Sequence, residues 1–311
     1  MQSILLRGPP EIQIKILSNL SLRQLIHVSG ISKYFLGLIR GYPWNFMIDL
    51  QNEFPKSTIR HILSNYQFRG YSFLLCNDID EVLDELNPIL VTKVLKLLTC
   101  TTTGKNLYLF PHLSELNLHN CSELVDESIV TLCQNRTQPF EKIDLGFCHR
   151  SRISDISLEA ISKIGCHRLI LDDNNMITDV GIQKIVSSGK ISVLELLFCR
   201  QITDAAFVST NGSVELQSLD LSHCSITDLT LNKLGRCKQL SIQHCQDITD
   251  KGLLALRDCT DLSLINNPLI TQQGIIALLN YGNLRKLRIH YEHLKYDSEF
   301  LEKMYPNVSI E

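Results

Sequence analysis

One phrase, repeated along most of the chain, constrains its fold more than any other feature. It first reads Leu113-Ser-Glu-Leu-Asn-Leu-His-Asn-Cys121, with Asp126 five residues on. Ile143-Asp-Leu-Gly-Phe-Cys148 with Ile153-Ser-Asp155 follows, then Leu169-Ile-Leu-Asp-Asp-Asn174 with Ile177-Thr-Asp179. Leu194-Glu-Leu-Leu-Phe-Cys199, Leu219-Asp-Leu-Ser-His-Cys224 and Leu240-Ser-Ile-Gln-His-Cys245 precede Ile202-Thr-Asp204, Ile226-Thr-Asp228 and Ile248-Thr-Asp250 respectively. Leu262-Ser-Leu-Ile-Asn-Asn267 leads to Ile270-Thr-Gln272, and a last bare strand, Leu284-Arg-Lys-Leu-Arg-Ile289, has no such sequel. The marker aspartates stand at 126, 155, 179, 204, 228 and 250, which are 29, 24, 25, 24 and 22 residues apart. A period of that size belongs to a stack of small supersecondary units.

Each Leu-x-Leu alternation predicts a strand whose leucines point into a core. The Cys or Asn three places past the second Leu enters the same core where the chain turns away. Ile-Thr-Asp then supplies an apolar anchor and a capping side chain. The aspartate is expected to accept from the free N–H groups at the start of its own helix, as before Lys251-Gly-Leu-Leu-Ala-Leu256. Burying about six aliphatics, at about 2 to 3 kcal/mol each, cannot offset ordering about 24 backbones at roughly 1 to 2 kcal/mol apiece. Units of this kind must stack.

The cysteines fall in two columns. Cys121, Cys148, Cys199, Cys224 and Cys245 stand at the strand exit, where Asn174 and Asn267 replace them in other units. Cys166, Cys237 and Cys259 each come eight residues before an exit position. Thiol and amide can both donate to a carbonyl in a buried turn, whereas an amide is no substitute for a thiolate metal ligand. His149, His167, His223 and His244 lie beside these cysteines, but the juxtaposition recurs with the repeat instead of marking one nucleophile. The columns therefore predict packing, with no metal and no cofactor. Eleven cysteines, an odd number without any C-x-x-C, fit a reducing cytoplasmic or nuclear setting better than a disulfide framework.

The pattern L-x-x-L-x-L-x-x-C-x-x-I-T-D, with a second Cys near the helix end, resembles the cysteine-containing subtype of leucine-rich repeat. That subtype is associated with F-box proteins and their relatives, including the antagonist-of-mitotic-exit-network group. The resemblance covers roughly residues 113 to 290. It implies an α/β fold, a leucine-rich-repeat solenoid with a curved parallel sheet and outer helices. About seven to eight repeats are expected over residues 91–311. Val94-Leu-Lys-Leu-Leu-Thr-Cys100 reads either as an opening strand or as the end of a helix.

Residues 8 to 50 do not follow the repeat. Pro10 suits a first helical turn, and Ile12, Ile16, Leu17 and Leu20 share one helical face. Two more short amphipathic runs follow, through Leu22, Leu25, Ile26 and Val28, and through Ile31 to Ile39. This stretch resembles an F-box. Pro10, Glu11, Ile12, Ile16, Leu17 and Leu20 match the first part of its pattern, and Leu25, Ile31-Ser32-Lys33 and Trp44 the rest. Pro9 stands where Leu is usual, and Ile31 replaces Val. The resemblance implies docking on a Skp-type adaptor and its cullin complex, with Pro10, Ile12, Ile16, Leu17 and Leu20 as apolar anchors. A helical cap on the open end of the solenoid accounts for the same residues. The expected organisation is an F-box-like three-helix region over 1–50, a helical connector over 51–90 and the repeats over 91–311.

Between the buried leucines, one side chain per strand faces the hollow side of the sheet. The central column reads Asn117, Asp144, Ile170, Glu195, Asp220, Ser241, Ser263, Arg288. It is acidic in its middle and basic at its end. Asn117, Asp144, Glu195, Asp220 and Arg288 are the candidate contacts for a protein substrate, beside the plainer reading of a solvated strand face. A net charge of −3 leaves no electrostatic footprint for nucleic acid, and no apolar stretch is long enough to span a bilayer. No P-loop, nucleophile elbow or H-E-x-x-H motif is present, so a non-catalytic adaptor is expected. The function expected is substrate recognition for a cullin–RING (SCF-type) ubiquitin ligase. The alternative is a repeat scaffold or inhibitor that binds a protein without directing its degradation.

Overall fold

Leucines at every second position of short segments, separated by turns and helices, can be satisfied together only if the segments line up. In the computed structural model they do. It describes residues 9, 10, 13, 17, 24, 43–51, 67–76, 79–84, 93–210, 214–289 and 298–311. The strands are β1 (Pro43–Gln51), β2 (Gln67–Leu74), β3 (Val94–Leu98), β4 (Glu115–Asn117), β5 (Phe140–Asp144) and β6 (Cys166–Ile170). They continue with β7 (Val193–Glu195), β8 (Ser218–Asp220), β9 (Gln239–Ser241), β10 (Asp261–Ser263), β11 (Lys286–Arg288) and β12 (Ser309–Ile310). All twelve form one parallel sheet in strict chain order.

Register places like residues opposite like. Tyr71, Leu95, Leu116, Ile143, Leu169, Leu194, Leu219, Leu240, Leu262 and Leu287 are successive partners across ten strands. All are buried. A one-residue slip would turn that whole row to solvent, so the pairing is strongly specified. Connecting the strands are α1 (Ile79–Leu83), α2 (Asp126–Gln134), α3 (Asp155–Ile164), α4 (Asp179–Ser187) and α5 (Ala205–Val208). After them come α6 (Asp228–Leu231), α7 (Asp250–Leu253), α8 (Gln272–Tyr281) and α9 (Ser298–Met304). Helices α2 to α8 pack in order, forming the second layer.

Strands β2 to β10 each leave the sheet through one left-handed residue. Leu75, Thr99, Asn120, Phe147, Asp173, Phe198, His223, His244 and Asn266 have φ between 54° and 62°. Every one immediately precedes an exit Cys or Asn, so the column begins at Cys76 and Cys100 and counts nine units among the described residues. The twist aims an amide at the following repeat: Phe147 N donates to Asp172 O at 2.7 Å, and His223 N to Gln243 O at 2.8 Å.

The exit side chain reaches backward instead. Cys121 Sγ donates to Leu97 O at 3.0 Å, Cys224 Sγ to Leu196 O at 3.2 Å and Asn174 Nδ2 to Leu145 O at 2.8 Å. The second column donates locally, as Cys166 does to Arg168 O at 3.0 Å. Burial pushes the thiols of Cys121, Cys148, Cys199 and Cys245 up to about 12, so they are neutral donors, not thiolates.

The aspartates are placed differently from the sequence expectation. Ser154, Thr178, Thr227 and Thr249, each just before the aspartate, cap their helices by accepting from the N–H two places on. The aspartate occupies the first helical turn and bonds to the next repeat. Asp155 accepts from Thr178 N at 2.9 Å and Thr178 Oγ1 at 2.6 Å. Asp204 accepts from the amides of Thr227 and Thr230 at 2.9 and 3.1 Å, and from both hydroxyls. A Ser or Thr side chain is long enough only for its own helix, whereas the carboxylate spans the gap between repeats. Two positions past each aspartate the residue is small, because the preceding repeat's carboxylate sits there. A Cβ on Gly181 or Gly252 would overlap Asp155 or Asp228.

Boundaries also shift. The region expected to be helical over 1–50 and 51–90 contains strands β1 and β2, and β12 follows the strand expected to be last. Phe46, Ile48 and Leu50 alternate in β1, and Tyr71 and Phe73, both fully buried, replace leucines in β2. Helix α1 falls where one was expected. Residues 25–42 and 52–66, which carry the remaining expected helices of the N-terminal third, lie outside the described residues.

Candidate protein-binding face

The row beside the buried leucines runs Ser72, Lys96, Asn117, Asp144, Ile170, Glu195, Asp220, Ser241, Ser263, Arg288, each paired in register with the next. Pleat alternation turns this row away from the core. All five candidate contacts therefore lie on one line across eight strands. Their availability differs.

Asp144 is held within the fold. It accepts from Asn117 Nδ2 at 3.0 Å and Gly146 N at 3.1 Å, with His119 Nδ1 at 3.5 Å and Lys142 Nζ at 3.8 Å. At 6% exposure it offers little to a partner, and Asn117 is committed to it. Glu195 is bonded to Arg168 at 2.5 Å. The basic end is partly offset, because the one Glu311 carboxylate is shared by Lys286 Nζ at 2.5 Å and Arg288 Nε at 3.2 Å. Asp220 accepts only from Ser222 N, at 2.9 Å, and has no cation against it among the described residues.

Asp172 adds to the negative field. Burial raises its carboxyl to about 7, further raised by Glu195, Asp220 and Asp144 and opposed by the bond from Leu197 N. At neutral pH it is therefore part protonated, the face's way of limiting the repulsion among four carboxylates. Along the turn edge Phe198 stacks on His223, and His223 on His244, each pair with centroids 4.2 Å apart. In the sequence His223 and His244 stand out only as neighbours of the exit cysteines; the left-handed turn shared by the position before each exit residue was not foreseen.

Among the N-terminal anchors, Pro10 is exposed in a helical position and Leu17 is 1% exposed within the chain's own core. Leu17 and Gln13, four apart, both point inward. Leu17, expected to face an adaptor, lies in the chain's own core. Ile12, Ile16 and Leu20 lie outside the described residues.

Among the described residues no group of three or more His, Cys, Asp or Glu side chains converges to hold a metal, and no helix is long and apolar enough to cross a membrane. The molecule is a leucine-rich-repeat solenoid. A leucine-rich-repeat family model matches residues 215–235 and 238–256. The chain superposes on internalin InlF from Listeria monocytogenes with a TM-score of 0.57, at 16% identity, covering 90% of this chain and 88% of that one. TLR13, solved in a complex with ssRNA13, gives the same score at 17% identity, over 84% of this chain and 38% of that one. Rad7, from the yeast Rad7–Elc1 complex, is 14% identical over 95% of this chain and 89% of that one, with a TM-score of 0.41.

Proposed function

We propose that the chain is the substrate-recognition subunit of a cullin–RING ubiquitin ligase. The N-terminal segment docks on a Skp-type adaptor, and the sheet face holds a target protein. The observation that carries the binding role is the polar row along the sheet, interrupted by Ile170, with Asp220 lacking a counter-charge among the described residues. Such a field steers and orients a partner of positive character. The ligase role rests on the F-box resemblance of residues 10 to 44. No chemistry is required of this chain. Holding a target beside a ubiquitin-charged enzyme turns an encounter into a local event.

Purified full-length chain mixed with a recombinant Skp-type adaptor tests the first half. Wild type is expected to co-elute, and Ile16→Asp to abolish co-elution with its melting temperature kept. Leu17→Asp is unsuitable, because its burial makes it a folding variant. Failure of wild type to bind removes the ligase reading. The second reading, a scaffold whose N-terminal segment only caps the solenoid, is favoured by the inward Leu17 and by β1, which joins the segment's last residues to the sheet.

A further inference from the structure

Along the outward row, side-chain size drops abruptly: two serines, Ser241 and Ser263, stand between Asp220 and Arg288. The drop leaves a recess of about 310 Å³ over β9 and β10, flanked by Asp261, Gln239 and Ser218. Arg288 borders it, its charge offset in part by Glu311, which Lys286 shares. Three acceptors around it are incompletely used. Asp220 employs Oδ1 on Ser222 N, and Asp261 employs Oδ2 on the Thr260 hydroxyl at 2.6 Å. Ser263 is 3% exposed, and its Oγ has no hydrogen-bond partner. Its neighbour Ser241, by contrast, is bonded to Ser222 Oγ at 2.8 Å.

A buried hydroxyl without a partner destabilises the free protein, and an arriving group that bonds to it removes that cost. The surplus here is of acceptors and of negative charge, so the complementary group is a cation with donors only. An ammonium fits, being a compact charge with three donors and no acceptor. A guanidinium fits less well, because its planar fork seeks both oxygens of one carboxylate, and Asp220 and Asp261 each already spend one on an internal donor. The two carboxylates stand two strands and two residues apart, so one ammonium bonds one of them directly and meets the other through its field. We propose that this recess binds the side-chain ammonium of a lysine carried by a protein partner laid along the sheet. The assignment rests on the reading that this face holds a protein, and it names which residue type that partner must present.

The test uses the full-length chain, isotope-labelled, and the extended peptide Ac-Ala-Ala-Lys-Ala-Ala-NH2. The expected result is saturable shifts of the amide signals of Asp220, Ser241, Asp261 and Ser263. The same peptide with acetyl-lysine or norleucine is expected to produce none. Asp220→Asn and Asp261→Asn should both weaken binding, the one in direct contact at least ten-fold, and Ser263→Ala about three-fold without lowering the melting temperature. Absence of saturable shifts, equal shifts with acetyl-lysine, or unchanged affinity in both aspartate variants overturns the assignment. Equal affinity for free n-butylamine also overturns it, making the occupant a small amine. If the peptide fails while Asp220→Arg still abolishes capture of the native target, the face keeps its protein-binding role and only the lysine assignment falls.

Discussion

At the exit turn one residue is forced left-handed and its neighbour is buried, and the two requirements explain which substitutions the turn accepts. A left-handed non-glycine costs about 1 to 2 kcal/mol. Repaying it is the amide the twist aims at the next repeat, as from His223 to Gln243. The neighbour must be small and donate to a carbonyl, which Cys and Asn both do. Cys224→Asn should therefore melt within a few degrees of wild type, since Asn267 makes the same bond to Ile242 O at 2.7 Å. Cys224→Arg, leaving a charge unpaired in the core, should lose more than about 4 kcal/mol by urea unfolding. Equal stability of the two variants would mean the column is not buried. Asp172 carries a second prediction. Its carboxyl titrates at about 7 when folded and near 4 when unfolded. Between those values the folded state holds the proton more tightly, so stability falls as pH rises from about 4 to about 7 and is flat beyond. Asp172→Asn keeps an acceptor for Leu197 N and removes the charge. It should match wild type near pH 4 and melt about 2 to 4 °C higher above pH 7, a figure reduced for a half-exposed group.

Between elements the aspartate ladder holds one repeat to the next. Burial opposes the ionised form of Asp204, but bonds from Thr230 and Thr227 outweigh it and hold its carboxyl below the ordinary value. Its stabilisation is present at neutral pH and lost as pH falls below about 4. Asp204→Ala should cost about 2 to 4 kcal/mol at pH 7. Asp250→Ala, whose bonds from Thr271 are exposed, should cost about 1. Urea unfolding separates them, and equal losses would contradict the ladder. From residue 113 onward this architecture was legible in the sequence, because Leu-x-Leu, Cys and Ile-Thr-Asp recur together. The forward reach of the aspartates was not: capping within a helix and bridging between helices ask for the same residue at nearly the same place. Small residues at Ser157, Gly181, Thr230 and Gly252 were the available signal. Strand β2 was hidden because Tyr71 and Phe73 broke the leucine pattern. Cys76, three residues before Ile79-Asp80, was its trace, and Asp80 does accept from Thr103 N at 2.9 Å. Asp261 was overlooked as a face residue although it pairs in register with Gln239.

For the whole molecule, a core lined by neutral buried thiols implies largely inert cysteines. All eleven are buried and none forms a disulfide. Burial raises nine of them, and the hydrogen bond between Cys76 and Cys100 raises the Cys100 thiol but lowers that of Cys76 to about 7. A thiol reagent should therefore find at most one fast-reacting group in the native chain, Cys76, and eleven after denaturation; several fast groups in the native chain would contradict the packing. The proposed function depends on two separable ends, and the face was only partly legible. The row of candidate contacts stands where the strand period put it, but the sequence concealed that Asn117, Asp144 and Arg288 answer to internal partners. Quantitative affinity purification of wild type, Ile16→Asp and Asp220→Arg from the same cells tests this most directly. Wild type should retain both adaptor and target, Ile16→Asp the target alone, and Asp220→Arg the adaptor alone. A wild-type chain without adaptor, or two variants that lose the same proteins, would contradict it.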